Sequence, residues 1–380
     1  MIISIINQHA NNFGDESACV GVLLRLLEYD FVEEINLIYI GKGTVRYENS
    51  KVNHNRDINV KNIGIKQSVL RIIAKKLGID YRGNSKLNQY LEIIEKSNVI
   101  FVSPAGADLG RYKGWAALLN MYLVDSCDKR LIFHLNTIVT SNNKLFDYLA
   151  NRILKKSNIY VREKASQDYL ASKNINCCFG VDSAFLLPND DTKCSEKRIT
   201  FIPTQLEGWN ADYKGTNIEA KIYENVIKPV FDFACEHMYE LVLLPHLGTS
   251  DELYYYESII EHYGEHKNIH IAKEIRNVWD YQRQICNSSV VVSMRYHGVV
   301  ISAKNAIPFV SIEYENKMRE VSSYVGMEKQ NIKVMDVTYS DLIQLLTNTS
   351  NHLELIKEKL EKNVKDLYKT AERPIKENVK

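Results

Sequence analysis

Arg295 and His297 stand one residue apart, directly after the β-branched run Val290–Ser293 and ahead of a helix-compatible segment that reaches Asn305. A guanidinium forks onto carboxylate or phosphate, an imidazole moves a proton near neutral pH, and the amides at a helix start favour an anion. The chemistry within reach is anion binding joined to proton transfer. The plain alternative gives both residues only a helix start to finish and surface carboxylates to pair with. Other apolar runs empty into loops of the same kind. His9–Ser17 carries Asn12, Gly14 and Asp15; Gly14 permits a tight turn, and Asp15 or Ser17 can cap the helix that follows. Val102–Gly110 carries Gly106 and Asp108, Tyr160–Ser166 carries Arg162, Gly180–Asp182 ends on an acid, and Pro245 is followed by His246.

For these residues to act together, the elements must deliver the ends of several strands to one side. Strand-like runs are read at Met1–Ile6, Ile35–Ile40, Val99–Ser103, Leu131–Leu135, Asn158–Val161 and Ile199–Pro203, then at Glu240–Pro245, Asn268–Ala272, Val290–Ser293, Phe309–Ile312 and Ile332–Met335. Amphipathic segments such as Glu16–Glu28, Trp115–Ser126, Asn217–Met238 and Asp251–His262 lie between them. Strands separated by helices need crossover connections and so form parallel sheets, whose carboxyl ends bind ligands. The fold class is therefore α/β. The polar stretch Pro188–Lys197 is the linker, giving domains 1–188 and 198–350. A helix over 351–380, with Leu353, Ile356, Leu360 and Val364 on one stripe, either caps the second domain or crosses back to the first. Glu48–Ser97 shows no regular pattern.

Composition narrows the function. At 380 residues, 45% of them hydrophobic, the chain is long enough for two cores. A net charge of +1 draws it to no nucleic acid. Seven cysteines (Cys19, Cys127, Cys177, Cys178, Cys194, Cys235 and Cys286), odd in number and without a CxxC pair, point to reduced thiols in a cytosolic protein. The opening Met1–Ile6 suits a first buried strand better than a signal peptide, and no window approaches the roughly 18 apolar residues of a membrane span. Neither GxGxxG nor GxxxxGK[ST] occurs, which removes support for nicotinamide and P-loop chemistry. No HExxH or DxD cluster offers a metal site, and His262, His266 and His270 read as exposed loop residues. Trp115, Trp209, Trp279 and Tyr254–Tyr256 read as core aromatics, with sugar stacking as the alternative. Lys61, Lys66, Arg71, Lys75, Lys76, Arg82 and Lys86 read as a solvated helix face, with docking on an anionic membrane as the alternative.

The order of these motifs resembles one family. Asn12-Phe13-Gly14-Asp15, the loop with Asp108, Val161-Arg162-Glu163 with Ser166, Asp182 before Ala184-Phe185-Leu186, Arg295-Tyr296-His297-Gly298, and Pro308 with Ile312, Tyr314 and Lys317 resemble the polysaccharide pyruvyl transferases from about Met1 to Lys317. The resemblance implies a GT-B-like architecture, two Rossmann-like domains with parallel sheets facing a central cleft, the first on the acceptor side and the second on the donor side. It implies transfer of a pyruvyl group from phosphoenolpyruvate onto two hydroxyls of a sugar as a cyclic ketal. It also implies a cytoplasmic enzyme of capsule, exopolysaccharide or cell-wall polymer assembly, with a lipid-linked acceptor and peripheral membrane contact. Where family members often carry a glycine run, this chain has Ser103-Pro104-Ala105-Gly106.

Such a donor carries a carboxylate and a phosphate, so its site needs at least two cations in fork geometry. Arg162 and Arg295 are the choices, with Tyr296 and Lys317 beside them. His297 is expected to move the proton, and Asp108 or Asp182 to orient it or accept a hydroxyl proton. Asn12, Gly14, Asp15, Gly106 and His246 would line the loops. No cofactor and no metal are expected. Two rival readings remain: a GT-B nucleotide-sugar glycosyltransferase, and a non-catalytic saccharide-binding module.

Overall fold

The computed structural model describes every residue except Asn11, Lys42, Ala105, Ala107, Lys193, Cys194 and Glu196, and the side chain of Ala211. Of the sequence readings, Cys194, part of the linker and three loop positions (Asn11, Ala105, Ala107) lie outside the described residues. The chain forms two compact units. Unit 1 comprises Met1–Asn11, Asp15–Leu187 and Tyr368–Lys380; unit 2 comprises Asn12–Gly14 and Pro188–Leu367.

In unit 1 the strands are β1 (Ile2–Gln8), β2 (Glu34–Tyr39), β3 (Val52–Asn55), β4 (Val99–Val102), β5 (Leu131–Asn136), β6 (Asn158–Val161) and β7 (Cys178–Phe179). Among the described residues they make one parallel sheet in the order β3-β2-β1-β4-β5-β6-β7. The inner strands are buried throughout, which is why their sequences run apolar instead of alternating. Helix Phe13–Leu27 brings Val20, Leu23 and Leu26 into the core, and helices Ser85–Lys96 and Trp115–Asp125 bring Leu87, Tyr90, Met121 and Val124.

Unit 2 repeats the design with β8 (Arg198–Ile202), β9 (Glu240–Leu243), β10 (Ile269–Ile271), β11 (Val290–Ser293), β12 (Phe309–Glu313) and β13 (Asn331–Lys333). Their parallel order is β10-β9-β8-β11-β12-β13. Each sheet reverses its winding once, between β1 and β4 and between β8 and β11. Ligands of open α/β sheets bind outside the strand ends at such a reversal.

Three sequence readings change. The unplaced stretch Glu48–Ser97 contains β3 and helices Val60–Ile63, Ile65–Lys76 and Ser85–Lys96; Gly64, at φ 93°, breaks the first two apart. The single helix read over Asn217–Met238 is interrupted by a π turn at Tyr223–Ile227. The terminal helix is two, Leu353–Val364 and Leu367–Asn378, because the pieces serve different cores. Ile356 and Leu360 are buried in unit 2, whereas Ala371 and Ile375 are buried in unit 1. There Tyr160 donates to Glu377 at 2.6 Å, and Asn158 donates to Asn378 at 2.6 Å.

Candidate functional site

In unit 2, β11 delivers Arg295 and His297. The Ser293 hydroxyl accepts from the Arg295 amide at 3.0 Å and donates to the Arg295 carbonyl at 2.8 Å, pinning the turn. Arg295 is the N-cap of helix Tyr296–Lys304, yet its side chain makes no capping hydrogen bond. The guanidinium instead lies 5.7 Å over the Trp209 ring, in cation–π range. Its buried Nε–H has no hydrogen-bond partner, and among the described residues Arg295 forms no ion pair. A desolvated cationic donor without its own anion is suited to a ligand's carboxylate or phosphate.

His297 is buried in the first turn of that helix. Gly14 makes room for it, and Gly298 for the turn that precedes it. A Cβ at Gly14 would overlap the His297 imidazole, and a Cβ at Gly298 would overlap the Ser293 hydroxyl and crowd Ile202. Gly14 therefore forms no tight turn. It lies inside helix Phe13–Leu27, which starts two residues before the expected Asp15 cap, and its missing side chain is what the site uses.

The loop after β9 adds His246. Its ring lies 6.4 Å from that of His297 at an angle of 19°, its Nδ1 meets the Tyr281 hydroxyl at 3.0 Å, and its carbonyl accepts from the Phe13 amide at 3.0 Å. Phe13 stacks on Tyr281 at 5.4 Å, so an apolar wall backs the histidines. Burial, followed by the charges of Arg295, His297 and Lys317, holds His246 well below its ordinary pKa. It is thus a neutral imidazole in a positive field. Lys317, after β12, pairs with Glu315 at 2.8 Å and lies 5.6 Å from the centre of the Tyr296 ring.

Unit 1 holds a second cluster at its own winding reversal. His9 follows β1, Asp108 follows β4, and His9 Nε2 meets Asp108 Oδ2 at 2.7 Å. Burial alone would lower the imidazole pKa, but the hydrogen bond and charge of Asp108, with help from Asp15, outweigh it and raise His9 to about 9. The Gly106 carbonyl accepts from the Asp108 amide at 2.8 Å; Asn12, which belongs to unit 2, is half-buried. The pair stabilises unit 1 fully below the unfolded imidazole pKa of about 6.5 and loses that contribution as pH rises through about 9. The His9 ring protons should titrate near pH 9 by NMR. In Asp108→Asn the midpoint should fall, because burial then outweighs the remaining help from Asp15; a midpoint unmoved by the substitution would refute the pairing.

Arg162 and Asp182 take a different place from the one read in the sequence. Arg162 is 3% exposed and donates to Asp182 at 2.5 Å; Asp182 is 0% exposed and also accepts from the Ala184 amide at 2.8 Å. Their charges face each other inside unit 1, and the Glu163 carboxylate lies 4.0 Å from the Arg162 Nε. Glu163 accepts from Thr137, and the Ser166 hydroxyl accepts from the Ile138 amide at 2.9 Å, which ties the loop after β5 to helix Lys164–Ser172. Asp182→Ala should take the 2.5 Å partner from the buried guanidinium, leaving Glu163 at 4.0 Å, and destabilise by about 3–5 kcal/mol in chemical denaturation. A loss under 1 kcal/mol would show that the pair is not structural.

The sequence gives no role to His9 or Tyr281, names Phe13 only within its motif, and offers Trp209 as a core aromatic with sugar stacking as the alternative. His9 has a signal, its place immediately after the first strand; the place of Trp209 beside Arg295 has none, since six residues separate it from β8. Trp115 and Trp209 are half-exposed instead of core residues, Tyr256 is buried, and Tyr254 is exposed. His262 ends a helix against Tyr223, and His270 lies in β10 with Glu240, so they are not loop residues. No group of three His, Cys, Asp or Glu among the described residues could hold a metal ion.

Solved structures share the architecture. A Listeria monocytogenes protein described as a UDP-N-acetylglucosamine 2-epimerase aligns with a TM-score of 0.64 and 11% identity over 98% of this chain and 94% of its own. The Neisseria meningitidis UDP-GlcNAc 2-epimerase aligns at 0.58 and 12% over 100% and 99%. The trehalose-6-phosphate synthase OtsA aligns at 0.55 and 8% over 100% and 99%. At these identities the likeness gives the fold alone, GT-B with two Rossmann-like domains. No curated protein sequence matches the chain. The sequence profile named Polysaccharide pyruvyl transferase matches residues 12–316, from the Asn12 loop through the Arg295–His297 turn to Asn316, and so the chain belongs to the polysaccharide pyruvyl transferase family.

Proposed function

We propose that this transferase moves the pyruvyl group of phosphoenolpyruvate onto two hydroxyls of a lipid-linked saccharide, forming a cyclic ketal in capsule, exopolysaccharide or cell-wall polymer assembly. The observation that carries the reading is Arg295: a partly buried guanidinium without an ion pair among the described residues, grouped with His297, Lys317 and neutral His246. In this reading Arg295 forks onto one anionic group of the donor. Lys317, steered by Glu315, meets the other.

Proton accounting gives His297 a task. The enol carbon of the donor gains a proton to become a methyl group, and positive charge develops at the neighbouring carbon, where the first hydroxyl oxygen bonds. The second hydroxyl oxygen then displaces phosphate. Two hydroxyl protons leave the sugar; one ends on the methyl carbon and the other on phosphate. One imidazole that gives a proton and takes one back can serve both steps, while neutral His246 keeps a second positive charge away from it. His9 and Asp108 are assigned to hold acceptor hydroxyls, since a cationic imidazole donates and a carboxylate accepts.

The test is incubation with phosphoenolpyruvate and candidate lipid-linked saccharides, reading phosphate release and the mass of the product. Pyruvylated product with stoichiometric phosphate is expected. Phosphate release without a gain in saccharide mass, or transfer only from a nucleotide sugar, would sink the proposal.

A further inference from the structure

Helix Ile65–Lys76 of unit 1 is inside out. A surface helix of a globular protein turns its apolar stripe to the core. Here the buried positions are Ser68 and Arg71, while Ile65, Ile73 and Leu77 are 69%, 48% and 69% exposed, with Val69 beside them. Polar contacts fix this orientation. Arg71 donates to Asp80 at 2.5 Å, to the Tyr81 carbonyl at 3.1 Å and to the Ser126 carbonyl at 3.4 Å. Arg71 therefore does not belong to the solvated basic face read in the sequence.

The exposed stripe borders an apolar groove of about 750 Å³, walled by Val60, Ile65, Val69, Trp115, Leu119 and Leu149. Half-exposed Trp115 is braced edge-on against Phe146 at 5.0 Å. The helix that lends Leu149 to the groove, Lys144–Leu154, also exposes Leu145 and Tyr148. The segment that carries the helix is strongly basic. Lys61–Lys86 holds seven lysines and arginines against one acid, Asp80, and helix Ile65–Lys76 itself has no Asp or Glu. Among the described residues, exposed Lys66 and Lys76 form no ion pair. At 100° per residue they project among the apolar side chains, Lys66 between Ile73 and Leu77 and Lys76 between Ile65 and Val69.

We propose that this face docks unit 1 on the surface of an anionic phospholipid bilayer. Ile65, Ile73, Leu77 and Trp115 sit at the headgroup–acyl boundary, and Lys66 and Lys76 reach lipid phosphates. Lysine interleaved with aliphatic residues is what selects a lipid surface over a protein: interface cores between proteins are depleted in lysine, whereas at a bilayer the aliphatic stems lie along the apolar layer and the amines reach up to the headgroups. Trp and Tyr at the rim fit the amphipathic layer between headgroups and acyl chains. The surface belongs to unit 1 alone and goes beyond the donor chemistry assigned to unit 2, so either can fail without the other.

Co-sedimentation of the full chain with vesicles tests it. Vesicles of phosphatidylglycerol and phosphatidylcholine should carry the protein down at low ionic strength and release it at high salt; phosphatidylcholine alone should hold it far more weakly. Lys66→Gln and Lys76→Gln should each weaken partitioning about fivefold. Ile73→Glu combined with Leu77→Glu should abolish it without lowering the melting temperature, since both side chains already face water. Absence of binding to anionic vesicles, or binding that survives the glutamate pair, overturns the proposal. If the glutamate pair unfolds the protein, the lysine variants decide, and vesicle binding indifferent to them overturns it too. Dimerisation that the glutamate pair abolishes, with no vesicle binding, would assign the face to a second copy of the chain instead.

Discussion

His297→Asn should lower turnover by something on the order of 10²–10⁴ while leaving the apparent donor constant nearly unchanged. The asparagine keeps a polar group of similar reach opposite Gly14 but cannot shuttle a proton, so the loss should appear in kcat and not in KM. The competing role, a residue that merely finishes the helix start, predicts the reverse: a modest stability loss of ~0.5–2 kcal/mol with turnover per folded molecule intact. Steady-state kinetics beside a melting curve separates the two. An active but less stable variant would remove His297 from the chemistry.

Arg295→Lys should raise the apparent donor constant about 10- to 150-fold, because the charge survives while the fork is lost, and a charge-assisted hydrogen bond is worth ~1.5–3 kcal/mol. The stacking on Trp209 that holds the planar guanidinium in place is also weaker for a point-charge ammonium. Raising donor concentration should recover most of the turnover. If kcat falls and the donor constant does not move, Arg295 acts in the transition state only and the ground-state assignment is wrong.

The sheet interiors were legible because parallel strands covered on both faces read as unbroken apolar runs. Each run read as a strand is one, with ends within two residues. The strands that escaped notice are edges: β3 has the polar sequence Val-Asn-His-Asn, and β7 is only two residues long, so neither carries a burial pattern. Arg295 and His297 were legible for the same reason as β11, since position after a buried strand is a local property. Partnerships were not. His9 and Asp108 are 99 residues apart, and Arg162 finds Asp182 across 20, so the sequence offers the charges without saying which will neutralise which. Gly14 shows the converse: its presence was noticed, but the reason for it, the imidazole of a residue from the far half of the chain, was not.

The last thirteen residues give the molecule an order of assembly. Unit 1 draws on residues from both sides of unit 2, because Tyr368–Lys380 follows all of Pro188–Leu367 in the chain. At about 5–20 residues per second that interval lasts on the order of ten seconds. During it the first sheet waits without the side chains of Ala371 and Ile375, with Tyr160 lacking Glu377 and Arg25 lacking Glu372. Unit 2 has every one of its residues in hand before unit 1 does. Until the terminal helix arrives, the flank of the first sheet that it covers stays apolar and open.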